Sequence, residues 1–331
     1  MPALPRAQLT EVLLGALEEG GAAANLLSRA DANPRVILCE TAEQSVRVYV
    51  YLWTLTFGGR KALPNEYRIQ MTGVRSPLRL YPDGLTVLVG YESSLQMFAG
   101  FDVHRHRQFT EGSPSVQVDI RTVRQAITDG LAFARKGNDE VSCGVRPDHL
   151  LNYILCSDAI HRYGKAPKEH GLFSAAARGV MLDAEVLASL TEPRRRIVEQ
   201  VSRLSRSVRF RQMVLQAYDN RCAITGIQLK LVDAAHILPV GAPGSTDEVV
   251  NGIAISPTYH RAFDMGLIFL DESYHFRVSA GRVAELRAYK LDGGLPDFAR
   301  ALERTIILPA NEQLRPSKEY IRKGNEFRRV C

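Results

Sequence analysis

Between Arg35 and about Ile120 no apolar period runs long enough to support a helix. The chain passes instead through RVILC, VRVYVYLWTLTF, YRIQMTGV, LTVLVGY, LQMFAGFD and SVQVDIR, cut apart by GGRKALPN, YPDG and similar breaks. Short alternating or continuous runs rich in β-branched and aromatic residues, bounded by turn formers, are the pattern of strands joined by tight connections. This region is therefore expected to be a mainly antiparallel β domain. Residues 6 to 30 precede it with Leu9, Val12, Leu13 and Leu17 at helical spacing, interrupted by Gly20 and Gly21. Residues 121 to 163 alternate helix-like TVRQAITDGLAFARK, strand-like DEVSCGV and helix-like PDHLLNYILCSDAIHRY, and complete the same domain.

A chain of 331 residues, 45% hydrophobic and 24% charged, has room for two domains. The weakly periodic stretch from Gly164 to Pro193 places the boundary, so the expected organisation is α+β. A β-rich domain spans 1–165, a linker and basic helix 166–205, and a second domain 206–331. No apolar stretch approaches the roughly 20 residues that cross a bilayer, and the N-terminus has no compact apolar signal core, which reads as a cytoplasmic chain with no membrane partner. Cys39, Cys143, Cys156, Cys222 and Cys331 are scattered with no CxxC pair, so they are expected reduced and mostly buried.

Net charge is +6, but Arg194, Arg195, Arg196, Arg203, Arg206, Arg209 and Arg211 crowd into one segment. That density suits a phosphate backbone, although a solvated helix face would look the same. In MFAGFDVHRHRQF, the residues His104, Arg105, His106 and Arg107 lie between Phe101 and Phe109. Basic residues interleaved with aromatics suit phosphates and bases, including a base turned out and stacked; the equal alternative is a core strand with a solvated end.

The chemistry concentrates after Phe210, in FRQMVLQAYDNRCAITGIQLKLVDAAHILPVGAPGSTDEVVNGIAISPTYHRAFDMGLIFLDESYHFRVS. His236 is followed by Asn251 and then by His260. A hairpin and a helix would bring the three together, with LKLVDAAHI as first strand, PVGAPGSTDEVVN as loop and GIAIS as second strand. PTYHRAFDMG is then a helix started by Ser256 and Pro257 and stopped by Gly266. Phosphodiester hydrolysis needs a base, a divalent cation to stabilise phosphate charge, and fixed geometry. His236 at a strand end can be the base, since an imidazole with a pKa near 6.5 is largely neutral at pH 7. Asn251 can brace the loop, and His260 can ligate the cation. Other histidines, such as His149, His161, His170 and His275, are expected to be surface or hydrogen-bonded residues.

The ordered pieces AYDNRCAITG, AAHILP, VNGIAIS and HRAFDMGLI, with a strand pair after them, resemble the HNH (ββα-metal) endonucleases, particularly those of prokaryotic restriction enzymes. The resemblance covers 208–280 and runs more loosely into RPSKEYIRKGNEFRR. It implies a nuclease using Mg²⁺ or Mn²⁺ on double-stranded DNA, with His236, Asn251 and His260 as catalytic residues and Arg261 among the DNA contacts. Two departures matter. Many relatives carry an acidic residue or histidine directly before the base as a metal ligand, where this chain has Ala235. Asp233 and Asp264 are the carboxylates left to join His260, Asp264 by sharing its helix face and Asp233 only across a bulge or bend. A one-histidine site with mostly water ligands fits Mg²⁺ equally well. Relatives also often hold the motif with paired CxxC zinc ligands, whereas Cys222 is followed at i+3 by Thr225, so no structural zinc is expected.

The stretch from GYESSLQMFAGFD to SVQVDIR is similar to N-terminal domains preceding HNH modules in some restriction endonucleases. It implies target recognition, of a sequence or of a modification. Since each HNH site cuts one strand, a double cut implies a homodimer. The competing expectations are an HNH-fold DNA-binding regulator or sensor weakened in catalysis, suggested by Ala235, and an enzyme acting on RNA.

Overall fold

The computed structural model describes residues 4–41, 44–110, 112, 114–137, 139–164, 167–180 and 182–330. Two compact units emerge, Met1–Val208 and Arg209–Cys331. The expected boundary at residues 165 and 166 lies outside the described residues.

The first unit begins with helix α1 (Arg6–Glu19) and continues through β1 (Ala23–Leu26), β2 (Arg35–Glu40), β3 (Ser45–Thr54), β4 (Thr56–Phe57), β5 (Glu66–Gln70), β6 (Leu85–Glu92) and β7 (Met97–Phe101). After α2 (Val103–His106) come β8 (Ser115–Asp119), α3 (Ile120–Asp129), β9 (Leu131–Arg135), β10 (Val141–Val145), α4 (Leu150–Tyr163), α5 (Pro167–Ala177), α6 (Ala184–Ala188) and α7 (Glu192–Ala217). Seven strands form one sheet in the order β1-β2-β3-β6-β7-β10-β9, and β4-β5-β8 form a second. The pairing is antiparallel except at the centre, where β3 and β6 run parallel. The sequence reading missed that pair because β4 and β5 leave for the second sheet, letting β6 re-enter the first in the direction of β3.

The run VYVYLW is apolar without alternation because β3 is covered on both faces. Val48, Val50 and Leu52 join the core formed with α1, α4 and α5, while Tyr51 and Trp53 join the core formed with β5, β8 and α3. The segment 166–205, expected to be a linker and basic helix, carries α5, α6 and the first part of α7, with turns after α5 and α6, and contributes to the first core. Phe173, Ala176, Ala177, Val198 and Val201 are all buried there.

The second unit starts within α7 and contains β11 (Asp233–His236), β12 (Gly252–Ile255), α8 (Pro257–Asp264), β13 (Ile268–Leu270) and β14 (Phe276–Val278). Helices α9 (Ala280–Ala288), α10 (Leu295–Arg300) and α11 (Lys318–Arg328) follow. Phe210, Val214, Cys222, Ala235, Ile253, Ile255, Phe263 and Ile321 share one core. Strand β11 is shorter than the expected LKLVDAAHI, because Leu229 and Lys230 take left-handed backbone conformations that end strand geometry before Asp233. Among the described residues no helix is long and apolar enough to cross a membrane.

Candidate active site

Strands β11 and β12 pair antiparallel, with His236 opposite Gly252 and Asp233 opposite Ile255. Helix α8 follows at once, with Pro257 in its first turn where a missing N–H costs nothing. The close packing of α7 on this hairpin depends on Gly252. A Cβ there would stand 2.3 Å from Val214 Cγ2 and 3.0 Å from the Phe210 ring.

His236 is mostly buried. Its ring lies 3.7 Å from the Phe210 ring at an interplanar angle of 13°, and its Nε2 is 3.0 Å from Asp247 Oδ1. Burial lowers the pKa of His236, and the Asp247 hydrogen bond opposes this without reversing it. The imidazole is therefore held neutral near pH 7. A carboxylate only accepts, so Nε2–H donates to Asp247 and Nδ1 keeps its lone pair.

Asn251 is fully buried and ties together the loop that carries Asp247. Its Oδ1 accepts from Leu238 N at 2.8 Å, and its Nδ2 donates to Thr246 O at 2.8 Å, Leu238 O at 3.2 Å and Ser245 Oγ at 3.3 Å.

His260 stands between two carboxylates. Asp233 Oδ2 is 3.4 Å from its Nδ1 and Asp264 Oδ2 is 3.3 Å from its Nε2. Burial alone would depress the His260 pKa, but the Asp233 hydrogen bond and the two negative charges outweigh it and raise the value. No bulge was needed. Asp233 sits opposite Ile255, two residues before α8, and so meets the helix rather than the face that carries His236.

Reasoning from spacing missed a second layer of side chains. Arg328 at the end of α11 donates from Nη1 to Ile237 O at 2.5 Å and from Nη2 to His236 O at 3.1 Å. Its guanidinium lies 4.1 Å over the Phe263 ring and 3.7 Å from Asp264. Gly324 allows this approach, because a Cβ at that position would stand 2.4 Å from Ile237 O. Tyr320 shares a hydrogen bond with Thr246, so α11 holds both the strand that carries His236 and the Asn251 loop. The tail RPSKEYIRKGNEFRR carried the only sequence hint of this, and nothing local pointed to Asp247 or to Phe210.

The donor set of one imidazole and two carboxylates suits a hard divalent cation by its chemistry. As the side chains stand, the two aspartates hold opposite edges of His260, and no group of three or more His, Cys, Asp or Glu side chains among the described residues is arranged around one point. Asp233 and Asp264 are 41% and 56% exposed and can turn without disturbing the core. Cys222 is buried, and its sulfur accepts from Thr225 N at 3.4 Å and Ser256 N at 3.3 Å.

Residues 222–271, from Cys222 to just past β13, match the HNH endonuclease family. The C-terminal unit carries an HNH endonuclease domain. Residues 46–154, within the sheet-rich unit, match the Methylase-associated X1 family. No curated protein matches the chain. Among solved structures, one described as "Modification dependent TagI restriction endonuclease" aligns at 13% identity over 88% of this chain and 84% of that one, with a TM-score of 0.27.

The basic residues expected at DNA divide between the units. In the HNH unit, Arg261 is exposed beside His260. Arg211 is half-buried, with its pKa lowered by burial and supported by the charge of Asp233. In the first unit Arg194 lies over the Tyr163 ring, Arg195 pairs with Glu199, and Arg196 pairs with Glu192. Arg203 and Arg206 lie on exposed helix positions, and Arg209 is half-buried at the start of the second unit. Around α2, Asp102 caps the helix, His104 pairs with Asp158 and His106 with buried Glu140, while Arg107 Nε donates to Leu78 O. Phe101 is a core residue at the end of β7, the basic run turns into the short helix α2, and His104, Arg105 and Arg107 are exposed while His106 is half-buried.

Proposed function

We propose that this protein is a restriction-type, divalent-metal-dependent endonuclease that hydrolyses phosphodiester bonds of double-stranded DNA. His236 is its general base. The observation that carries the reading is the joining of His236, Asn251 and His260 in one ββα unit whose sequence matches the HNH endonucleases. With Asp247 fixing Nε2–H, the Nδ1 lone pair takes the proton of the attacking water. Asn251 positions the loop that carries Asp247, and Arg328 fixes the end of the strand that carries His236. His260 with Asp233 and Asp264 would hold Mg²⁺ or Mn²⁺, which when bound supplies charge stabilisation at the phosphate and leaving oxygen. Arg211 and Arg261 lie on the same unit and suit phosphate contacts.

The N-terminal unit supplies target recognition, through Arg105, His104 and Arg107 and the arginines of α7. Its match to a methylase-associated family favours a target defined by DNA modification. A double-strand cut by single-strand sites calls for a homodimer acting in the cytoplasm. Ala235, buried in the hairpin, supports the second reading, a DNA-binding regulator on an HNH fold, since no ligand precedes the base.

Incubation with methylated and unmethylated plasmid, each with Mg²⁺, with Mn²⁺ and with chelator, separates the two. Endonuclease action predicts metal-dependent cleavage, lost by roughly 10²–10⁴-fold in His236→Ala while DNA binding persists. Absence of cleavage on every DNA would sink the nuclease reading and leave the regulator.

A further inference from the structure

A cavity of about 550 Å³ opens in the N-terminal unit, lined by Asn33, Tyr51, Arg75, Leu78, Arg79 and Tyr81 among others. Its walls are bonded to one another. The Tyr51 hydroxyl accepts from Arg79 N and donates to Arg79 O, each at 3.1 Å. Asn33 Oδ1 accepts from Leu52 N at 3.0 Å and from Arg35 Nη1 at 3.4 Å. The segment after α2 is laced to the same loop, because Leu78 N donates to Arg107 O and Phe109 N donates to Ser76 Oγ. The cavity is thus pre-formed, within the range of about 300–1,000 Å³ usual for small-ligand sites.

Its recognition surface is flat and cationic. Tyr81 stacks on Tyr49 with ring centroids 3.8 Å apart and planes 2° from parallel, and the Arg79 guanidinium lies 4.8 Å over the Tyr81 ring. Since Tyr49 occupies one face of Tyr81, Arg79 occupies the other. The Tyr49 hydroxyl bonds Asp83, which also pairs with Arg47, so the stack is anchored from below. Arg79 is exposed and ends the column with a bare guanidinium plane, Arg75 is exposed beside it, and no lining residue is acidic.

Guanidinium planes stack on nucleobases and their charge suits phosphate, a pairing that an aliphatic or cationic ligand would not use. We propose that this cavity takes one unpaired nucleotide of the DNA target, its base continuing the Tyr49–Tyr81–Arg79 stack and its phosphate held by Arg75. The inference rests on the reading of this unit as the one that recognises DNA. Extruding a base is easiest where pairing is already weak, so the site prefers DNA with a mismatched or unpaired position.

Fluorescence anisotropy of the full chain in chelator tests this, with duplexes of one sequence that are fully paired or carry one mismatch. A 2-aminopurine at the mismatch reports unstacking. The mismatched duplex should bind roughly tenfold tighter, with a rise in 2-aminopurine emission. Arg79→Ala and Arg79→Lys should both lose that preference, the lysine variant because it keeps the charge and loses the plane. Arg121→Ala, exposed and paired with Asp119 elsewhere on the unit, should keep it. Equal binding of paired and mismatched duplexes by the wild type, or an unchanged preference in Arg79→Lys, overturns the cavity assignment while cleavage by the same preparation leaves the nuclease reading standing. A free deoxynucleoside monophosphate binding as tightly as the mismatched duplex overturns the DNA assignment. Failure to bind or cut any DNA removes both.

Discussion

Replacing Asn251 with alanine should destabilise the HNH unit by about 3 kcal/mol and strongly reduce cleavage, although Asn251 need not touch substrate. The magnitude follows from which groups lose their partner. Leu238 O keeps a donor in Ser245 Oγ at 2.9 Å, and the Ser245 hydroxyl keeps that bond, so neither is left bare. Buried Leu238 N and part-buried Thr246 O lose the amide that serves each at 2.8 Å, and a stranded group costs about 1–3 kcal/mol, towards the upper end for the buried N–H and the lower end for the part-buried carbonyl. For a unit of this size that corresponds to a fall in melting temperature of roughly 10 °C. Asn251→Asp would keep an acceptor for Leu238 N but lose both amide donors and bury a charge, so it should do no better. Scanning calorimetry of the full chain reads the shift, with the transition of the N-terminal unit as internal reference, and plasmid cleavage reads the release of Asp247 from His236. A shift below about 2 °C with unchanged cleavage would refute the idea that this amide holds the loop.

Arg328→Ala should cost at least about 2 kcal/mol by stripping the donors from His236 O and Ile237 O, and Arg328→Lys should recover only part, as denaturant unfolding will show. His260→Ala should raise the Mn²⁺ concentration for half-maximal cleavage at least about tenfold, checked by metal titration of the rate. His161 is buried in the N-terminal unit, its Nδ1 donating to Val141 O and its Nε2 accepting from Tyr153, and burial pushes its pKa down to about 4. The unfolded chain therefore takes this proton first. Stability from this group is complete above about pH 6.5 and is lost as pH falls towards 4, by up to about 3 kcal/mol. Urea unfolding at pH 7 and pH 4.5 should show that loss, and His161→Gln should reduce it.

The local text of the HNH unit was readable because its informative parts are contiguous. His236 ends a strand, Asn251 closes the following loop, and His260 lies one turn into a helix announced by Ser256 and Pro257. Hairpin register and helical pitch bring such neighbours together with little help from the rest of the chain. The Asp233 geometry was misjudged because a strand's alternation says which face a side chain takes, and not which later element will pack against its end. In the N-terminal unit the strands were legible from composition, but the parallel pairing of β3 with β6 was not. That pairing depends on β4 and β5 joining another sheet, which no property of β3 or β6 encodes.

The sequence by itself determined the two-part α+β organisation and the placing of His236, Asn251 and His260 on a strand end, a loop end and a helix, since periodicity, turn chemistry and short-range spacing are local properties. Only the tertiary structure decided the partners of those residues. Asp247 reaches His236 through a loop held by a buried amide, Phe210 stacks on it from the preceding helix, and Arg328 grips its backbone from 92 residues further along. Long-range contacts of this kind arise when burial forces distant polar groups to satisfy one another, and the choice of partner is made by the packing of the whole unit.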